Sequence, residues 1–94
     1  MPEADPISVL CDIIIEITAE ATRRRLLPGA VTGRKDFASL GVDSVNAFEI
    51  ILHLETRYSI TLADTFLFNY RTPADAAQAL HAMLHAKGLD NPNS

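Results

Sequence analysis

The hydroxyl of Ser44 stands out as a reactive group because of the residues on either side of it. It follows Asp43 and opens a long apolar run from Val45 to Tyr58. Asp43 is a good helix N-cap, its carboxylate accepting from the free N–H groups of the next turn. Ser44 then takes the first helical position, with its hydroxyl exposed at the positive end of the helix. The free amides and the helix dipole both favour an anion there, so the place suits a covalently attached phosphate. Gly41, just upstream, can end a preceding turn because it accepts positive φ without a Cβ penalty.

Other reactive groups combine less well. Ser44 with His53 and an acid would make a hydrolase, but no Gly-x-Ser-x-Gly elbow surrounds the serine. His53 lies nine residues on along the same helix. That is a rise of about 13 Å, too far for a hydrogen bond within one rigid helix. No catalytic residue is assigned and no enzyme activity is expected. His81 and His85 stand one turn apart and could chelate a metal. No acidic residue or third histidine completes the set at helical spacing, so they read as solvated surface residues and no metal site is expected. Cys11 is the lone cysteine; it allows no internal disulfide and reads as a buried small hydrophobe.

The elements that must position Ser44 follow from periodicity and caps. Its own helix, from Ser44 to about Tyr58, carries two apolar stripes. Ala47, Ile51, Leu54 and Tyr58, with Ile50 beside them, face the core. Ser44, Phe48 and Leu52 form a second stripe, more than a helix in a small bundle needs to bury, so Phe48 and Leu52 are expected to meet something else, the alternative being that both belong to a wide core.

Upstream, Asp5-Pro6 starts a first helix, with the carboxylate capping and proline at the first position. Ile7, Leu10, Ile14, Ile17 and Ala21 line its buried face and Ile13 flanks it, while Ile15 points away. Pro28-Gly29 should end it near Leu26-Leu27. Arg23, Arg24 and Arg25 would then fall in its last turn, where cations complement the dipole; a partner-docking patch is the alternative, and a nucleic-acid or import signal fits three basic residues in an acidic chain least. A long connection from Pro28 to Val42 should be anchored by Phe37 and Leu40, with Val31 tucked in and Asp36 capping one turn over Phe37 to Leu40.

Downstream, Ser59 to Leu62 reads as an extended link with Ile60 and Leu62 inward. Asp64 would cap a short helix over Thr65 to Asn69. Phe66, Leu67 and Phe68 are consecutive, so at least one of them must line the way into the interior or meet a partner. Thr72-Pro73-Ala74-Asp75 opens the last helix. Ala77, Leu80 and Leu84 face inward, Ala76 and Met83 lie alongside, and Gly88 stops it. The fold class is therefore all-α: a four-helix bundle with three long helices, one short third helix and a long loop between the first two. The expected domain map is an N-terminal tail at 1–5, one bundle domain at 6–88 and a disordered tail at 89–94.

Composition bounds the rest. The 94 residues are 48% hydrophobic with a net charge of −4 and a pI near 5.1. That is enough for one modest core. An acidic surface argues against nucleic acid or anionic membrane as partner and fits basic partner proteins. No targeting segment or bilayer-spanning run is visible, and a lone cysteine fits a cytoplasmic protein.

Leu40-Gly41-Val42-Asp43-Ser44-Val45 resembles the attachment motif of acyl carrier proteins. The similarity runs on without gaps through Leu54-Glu55-Thr56-Arg57-Tyr58-Ser59-Ile60-Thr61-Leu62 and Thr72-Pro73-Ala74-Asp75-Ala76-Ala77, and covers roughly residues 6 to 86. The resemblance implies the same four-helix bundle and a monomeric carrier that catalyses nothing itself. Ser44 would carry a covalent 4′-phosphopantetheine arm, delivered from coenzyme A by a phosphopantetheinyl transferase that docks near Asp43. Acyl cargo would ride on the arm as a thioester, presented to acyltransferase, ligase or ketosynthase partners. Val45, Phe48, Glu49, Leu52 and Glu55 would form the docking face. Cargo could fold back against Phe37, Ile51, Leu54 or Phe66. Asn46, Thr56 and Arg57 stand where carriers of fatty acid synthesis are often acidic, which favours a discrete carrier of polyketide or related secondary metabolism, with fatty-acid-type biosynthesis kept open beside it. Aminoacyl and peptidyl carriers share the fold, but their serine more often follows Gly-Gly-His or Gly-Gly-Asp. A helical interaction domain without an arm is the remaining alternative, and the intact Asp43-Ser44 pair argues against it.

Overall fold

The computed structural model describes residues 5–90, with side chains through residue 86. Five helical segments follow in order: α1 (Pro6–Thr22), α2 (Ala30–Gly33), α3 (Ser44–Tyr58), α4 (Phe66–Asn69) and α5 (Pro73–Asp90). Three are long, as expected. Two are single turns, and one of these, α2, lies inside the long connection where only a loop is expected. No strand occurs among the described residues.

Helix α1 begins as its sequence dictates: Asp5 accepts from the Ile7 N–H and Pro6 occupies the first turn. It packs mainly against α5 and also against α3 and α2. Ala76 and Ala77 on α5 are fully buried, and their small size lets α1 approach closely. Ile14, Ile50, Leu54, Phe66 and Leu80 fill the centre. Ile15, expected to point away, is fully buried as well. With three elements laid against α1, its buried face is wider than one stripe.

The end of α1 corrects the sequence reading. The helix stops at Thr22, several residues before Pro28-Gly29, and Arg23 takes the left-handed conformation at φ 58°. The N–H groups of Arg23 and Arg24 donate back to the carbonyls of Glu20 and Ala19, the paired hydrogen bonds of a Schellman cap. The Ala21 carbonyl accepts instead from Asn46 Nδ2 on α3 at 3.0 Å. Another turn of helix is not needed to satisfy these carbonyls. The arginine triplet is therefore outside the last turn, which holds no basic residue.

In the connection, the Gly29 N–H donates to Asp12 at 3.0 Å. Gly33 sits so close to α1 that a Cβ there would fall 2.8 Å from Cys11 Sγ. This close approach seats α2 with Thr32 and Gly33 buried, and it turns Val31 outward, 77% exposed rather than tucked in. Phe37 and Leu40 are buried anchors as expected. The turn between them is held by the Asp36 backbone carbonyl, which accepts from the Leu40 N–H and from Ser39 Oγ. The Phe37 N–H donates to the Arg71 carbonyl at 2.8 Å, tying the connection to the start of α5.

The N-cap position of helix α4 is Thr65 rather than the expected Asp64, and no side chain caps it. On α5, Thr72 Oγ1 accepts from the Asp75 N–H and Pro73 opens the helix. Met83, expected beside the core, is on the exposed side. The helix passes through Gly88 and reaches Asp90. Of the tails expected at 1–5 and 89–94, Asp5 is the cap of α1 and residues 89–90 belong to α5, so the C-terminal boundary is corrected; residues 1–4 and 91–94 lie outside the described residues.

Candidate functional site

The site is assembled where the connection enters α3. Gly41 has φ 94°, a conformation open to glycine, and turns the chain. The Val42 N–H donates to the Phe37 carbonyl at 3.0 Å, closing the turn. Asp43 is extended, and its carboxylate accepts from the Asn46 N–H at 2.7 Å. Asn46 Oδ1 in turn accepts from the Asp43 N–H at 3.1 Å. The two form a reciprocal capping box with asparagine in place of the usual glutamate. Asn46 Nδ2, by its bond to the Ala21 carbonyl, fixes the same box to the end of α1. Sequence reasoning treated Asn46 only as a departure from an acidic pattern; its position three residues after the cap was the available signal.

Ser44 is thus held at the first helical position, exposed, with no side-chain hydrogen bond among the described residues. The capping box uses the Asn46 amide, while the amides of Ser44 and Val45 keep the lack of intrahelical partner that every helix start has. An anion attached to the Ser44 oxygen would meet those amides and the positive end of α3.

Beside Ser44 opens a cleft of about 290 Å³ lined by Phe37, Val42, Asp43, Ala47, Leu67, Phe68 and Arg71, with Asp36 and Ala38 at its side. Its walls are largely apolar. Of the residues expected to receive cargo, only Phe37 lines it; Ile51, Leu54 and Phe66 are closed into the core. Leu67, Phe68 and Arg71 take their place. Phe68, 67% exposed, is the member of the Phe66-Leu67-Phe68 triplet that the core cannot hold.

The outer face of α3 presents Val45, Phe48, Glu49 and Leu52 to solvent, with Phe48 58% exposed. Glu55 is placed differently. It is half-buried, and its Oε2 accepts from the Leu62 N–H at 2.8 Å, which fixes the link after α3. His53 is remote from the cleft and lines a separate hollow with Ile17, Glu20, Ala21 and Glu49. Ser44 therefore has no histidine within its cleft to act as a base. His81 and His85 stack with ring centres 6.4 Å apart. Among the described residues, no cluster of three or more His, Cys, Asp or Glu could hold a metal. No helix among them is long and apolar enough to cross a membrane.

Residues 9–80 match the family described as "phosphopantetheine attachment site". The chain belongs to this carrier family. Its cofactor is accordingly a covalent 4′-phosphopantetheine, and the exposed, unpartnered Ser44 hydroxyl beside an apolar cleft fits that group. The chain is 36% identical over 80 residues to a non-reducing polyketide synthase, stmB, of Aspergillus ustus, covering 85% of this chain and 4% of the synthase. It is 31% identical, with a TM-score of 0.72, to BlmI of Streptomyces verticillus, a type-II acyl carrier protein involved in bleomycin biosynthesis; 83% of this chain and 89% of that one are covered. A free-standing peptidyl carrier protein from an uncharacterized Acinetobacter baumannii secondary metabolic pathway is 27% identical, with a TM-score of 0.74, over 83% of this chain and 95% of that one.

Proposed function

We propose that this chain is a discrete acyl carrier, that Ser44 is its attachment residue, and that the cargo belongs to polyketide or related secondary metabolism. The observation that carries the reading is the exposed Ser44 hydroxyl, set by the Asp43–Asn46 box at the first position of α3 and opening onto the apolar cleft. In the loading step the Ser44 oxygen forms a bond to the phosphorus of the pantetheine half of coenzyme A. The pyrophosphate linkage breaks, adenosine bisphosphate leaves, and the hydroxyl proton passes to the transferase. The bound arm then supplies a thiol that carries acyl groups as thioesters. This chain contributes placement: Asp43 fixes the turn, the first amides of α3 face the phosphate, and Phe37, Leu67 and Phe68 offer apolar shelter beside the arm.

The exposed row Val45, Phe48, Glu49 and Leu52 is the proposed docking face for the transferase and for acyltransferase, ligase or ketosynthase partners. Glu55 borders that row and adds charge while it holds Leu62. The chain itself is assigned no catalytic step, and a monomer in the cytoplasm, consistent with the buried free thiol of Cys11, completes the reading. We place the carrier unit at 6–90, since α5 carries it beyond Gly88. An aminoacyl or peptidyl cargo is the second reading, favoured by the likeness to the free-standing peptidyl carrier. Against it stands Gly41-Val42-Asp43 before the serine.

The test is an intact-mass spectrum after incubation with coenzyme A, magnesium and a broad-specificity phosphopantetheinyl transferase, beside a Ser44→Ala control. A gain of one arm, absent from the control, is expected. A folded chain that gains nothing overturns the carrier assignment.

A further inference from the structure

Charge is spread unevenly along this chain. Residues 23–35 contain five of its eight Lys and Arg residues and none of its twelve Asp and Glu residues. The rest is strongly acidic. Arg23, Arg24, Arg25, Arg34 and Lys35 are all exposed, and none has an ion pair or side-chain hydrogen bond among the described residues. Because α1 stops at Thr22, the dipole of that helix does not account for Arg25, Arg34 or Lys35. Two aliphatic side chains on the same connection, Leu27 and Val31, are 72% and 77% exposed.

The position of this segment gives it meaning. Ala21, just before the arginines, is bonded to Asn46 on the first turn of α3. A Cβ on Gly41 would lie 2.9 Å from Cδ and Nε of Arg24, so that side chain crosses the turn leading into Asp43 and Ser44. At the other end, Arg34 and Lys35 run directly into Asp36, which lines the Ser44 cleft. Arg24 therefore borders the turn that holds Ser44, while Arg34 lines a neighbouring hollow with Ile7, Ser8 and Asp12 before the chain reaches the cleft at Asp36.

We infer that the connection 23–35 is a docking surface for an acidic protein surface, a cluster of Asp and Glu carboxylates set around an aliphatic patch, on an enzyme that acts on the group at Ser44. The identity of that enzyme rests on the carrier reading; the charge complementarity does not. Five like charges within one short connection repel one another, and opposing carboxylates relieve the repulsion and steer the encounter. Guanidinium groups pair with carboxylates through two parallel hydrogen bonds, which fixes orientation as well as contact. On α3 the rim of Ser44 is acidic and apolar, with Glu49, Phe48 and Leu52; on this connection it is basic. A partner with matching opposite patches can seat in only one rotation about Ser44. A lipid surface or nucleic acid fits less well, since the whole chain is negative and the connection carries no aromatic side chain for anchoring or stacking.

The test titrates ¹⁵N-labelled full-length chain with a short synthetic peptide of glutamates interspersed with leucine. Amide shifts that saturate within residues 23–35 and weaken with salt are expected. The Arg25→Glu/Arg34→Glu variant, checked by its thermal melt, should bind at least about tenfold more weakly, as like-charge juxtaposition requires. Arg25→Ala/Arg34→Ala should fall between, and serves if the reversal does not fold. Absence of shifts in 23–35, equal binding by a folded variant, or tighter binding of phosphatidylserine vesicles or a DNA duplex at that segment overturns the inference. Arm attachment is read separately on the same protein. A chain that takes the arm and ignores the peptide overturns this inference alone; one that binds the peptide and takes no arm overturns the carrier reading alone.

Discussion

Leu52 and Leu54 are the same residue type two positions apart on α3, and the structure gives them opposite tasks. Two residues turn about 200° around a helix, so the side chains leave on nearly opposite sides. Leu54 is 0% exposed among Ile14, Ile50 and Leu80, whereas Leu52 is 45% exposed beside Phe48. Truncating Leu54 to alanine removes buried carbons and leaves a cavity that a closely packed core refills only in part; such changes cost about 2–5 kcal/mol. Leu52→Ala removes side chain already largely in water and should cost less than about 1 kcal/mol. In a domain of this size each kcal/mol moves the melting temperature by about 4–8 °C. Leu54→Ala should therefore melt at least about 8 °C below the parent and Leu52→Ala nearer to it. Far-UV circular dichroism during urea and thermal unfolding reads both, and an unchanged m-value keeps the comparison one of stability. Equal losses, or the larger loss at Leu52, would refute the division of α3 into a core side and an open side, and with it the docking face.

Four more changes probe the site and its supports. Phe48→Asp should leave the unfolding midpoint within about 0.5 kcal/mol of the parent while slowing thioester transfer to partner enzymes; unchanged transfer kinetics would remove Phe48 from the docking face. Asp43→Ala deletes the acceptor for the Asn46 amide and should cost about 0.5–2 kcal/mol by urea unfolding, together with slower attachment at Ser44. Gly41→Ala places a Cβ at φ 94° against Arg24 and should cost about 1–2 kcal/mol; a neutral result would show that the turn relaxes freely. Burial first, and the neighbouring Asp12 carboxylate second, push the Cys11 thiol above its ordinary value. The unfolded chain then gives up that proton first, so this contribution to stability is complete below about pH 8.5 and is lost as pH rises above it. Cys11→Ala should flatten that alkaline decline, and an unchanged slope would assign it to other groups.

What could be read from the sequence was what neighbouring residues decide among themselves. Helix α3 has its cap, Asp43, and Ser44 in adjacent positions, and both of its ends lie where propensity places them. Asp5-Pro6 and Thr72-Pro73 likewise announce α1 and α5. The end of α1 was misread because Pro28 was the visible stop. The carbonyls there are satisfied earlier, one of them by Asn46, far along the chain. Ile15 was misread because a single stripe was assumed where α2, α3 and α5 all lie against α1. The single turn α2 has no strong cap or period, and what holds it is contact: Gly33 against Cys11 and Gly29 on Asp12.

The candidate site divides along the same line. Asp43 and Ser44 were legible because a helix start is a local object. The cleft was not, because its far wall comes from α4 and from the residue before Thr72, and these reach Ser44 only through the packing of the connection. The Phe37 N–H to the Arg71 carbonyl is the bond that closes this arrangement. The triplet Phe66-Leu67-Phe68 still carried a partial signal. Three consecutive apolar side chains on one turn point in three directions, and a core can take only those that face it. Phe66 and Leu67 go inward. Phe68 stays largely in solvent and lines the same cleft as Ser44. The Ser44 hydroxyl and the apolar wall beside it thus come from separate elements, so a change in the wall can leave the cap that fixes Ser44 untouched.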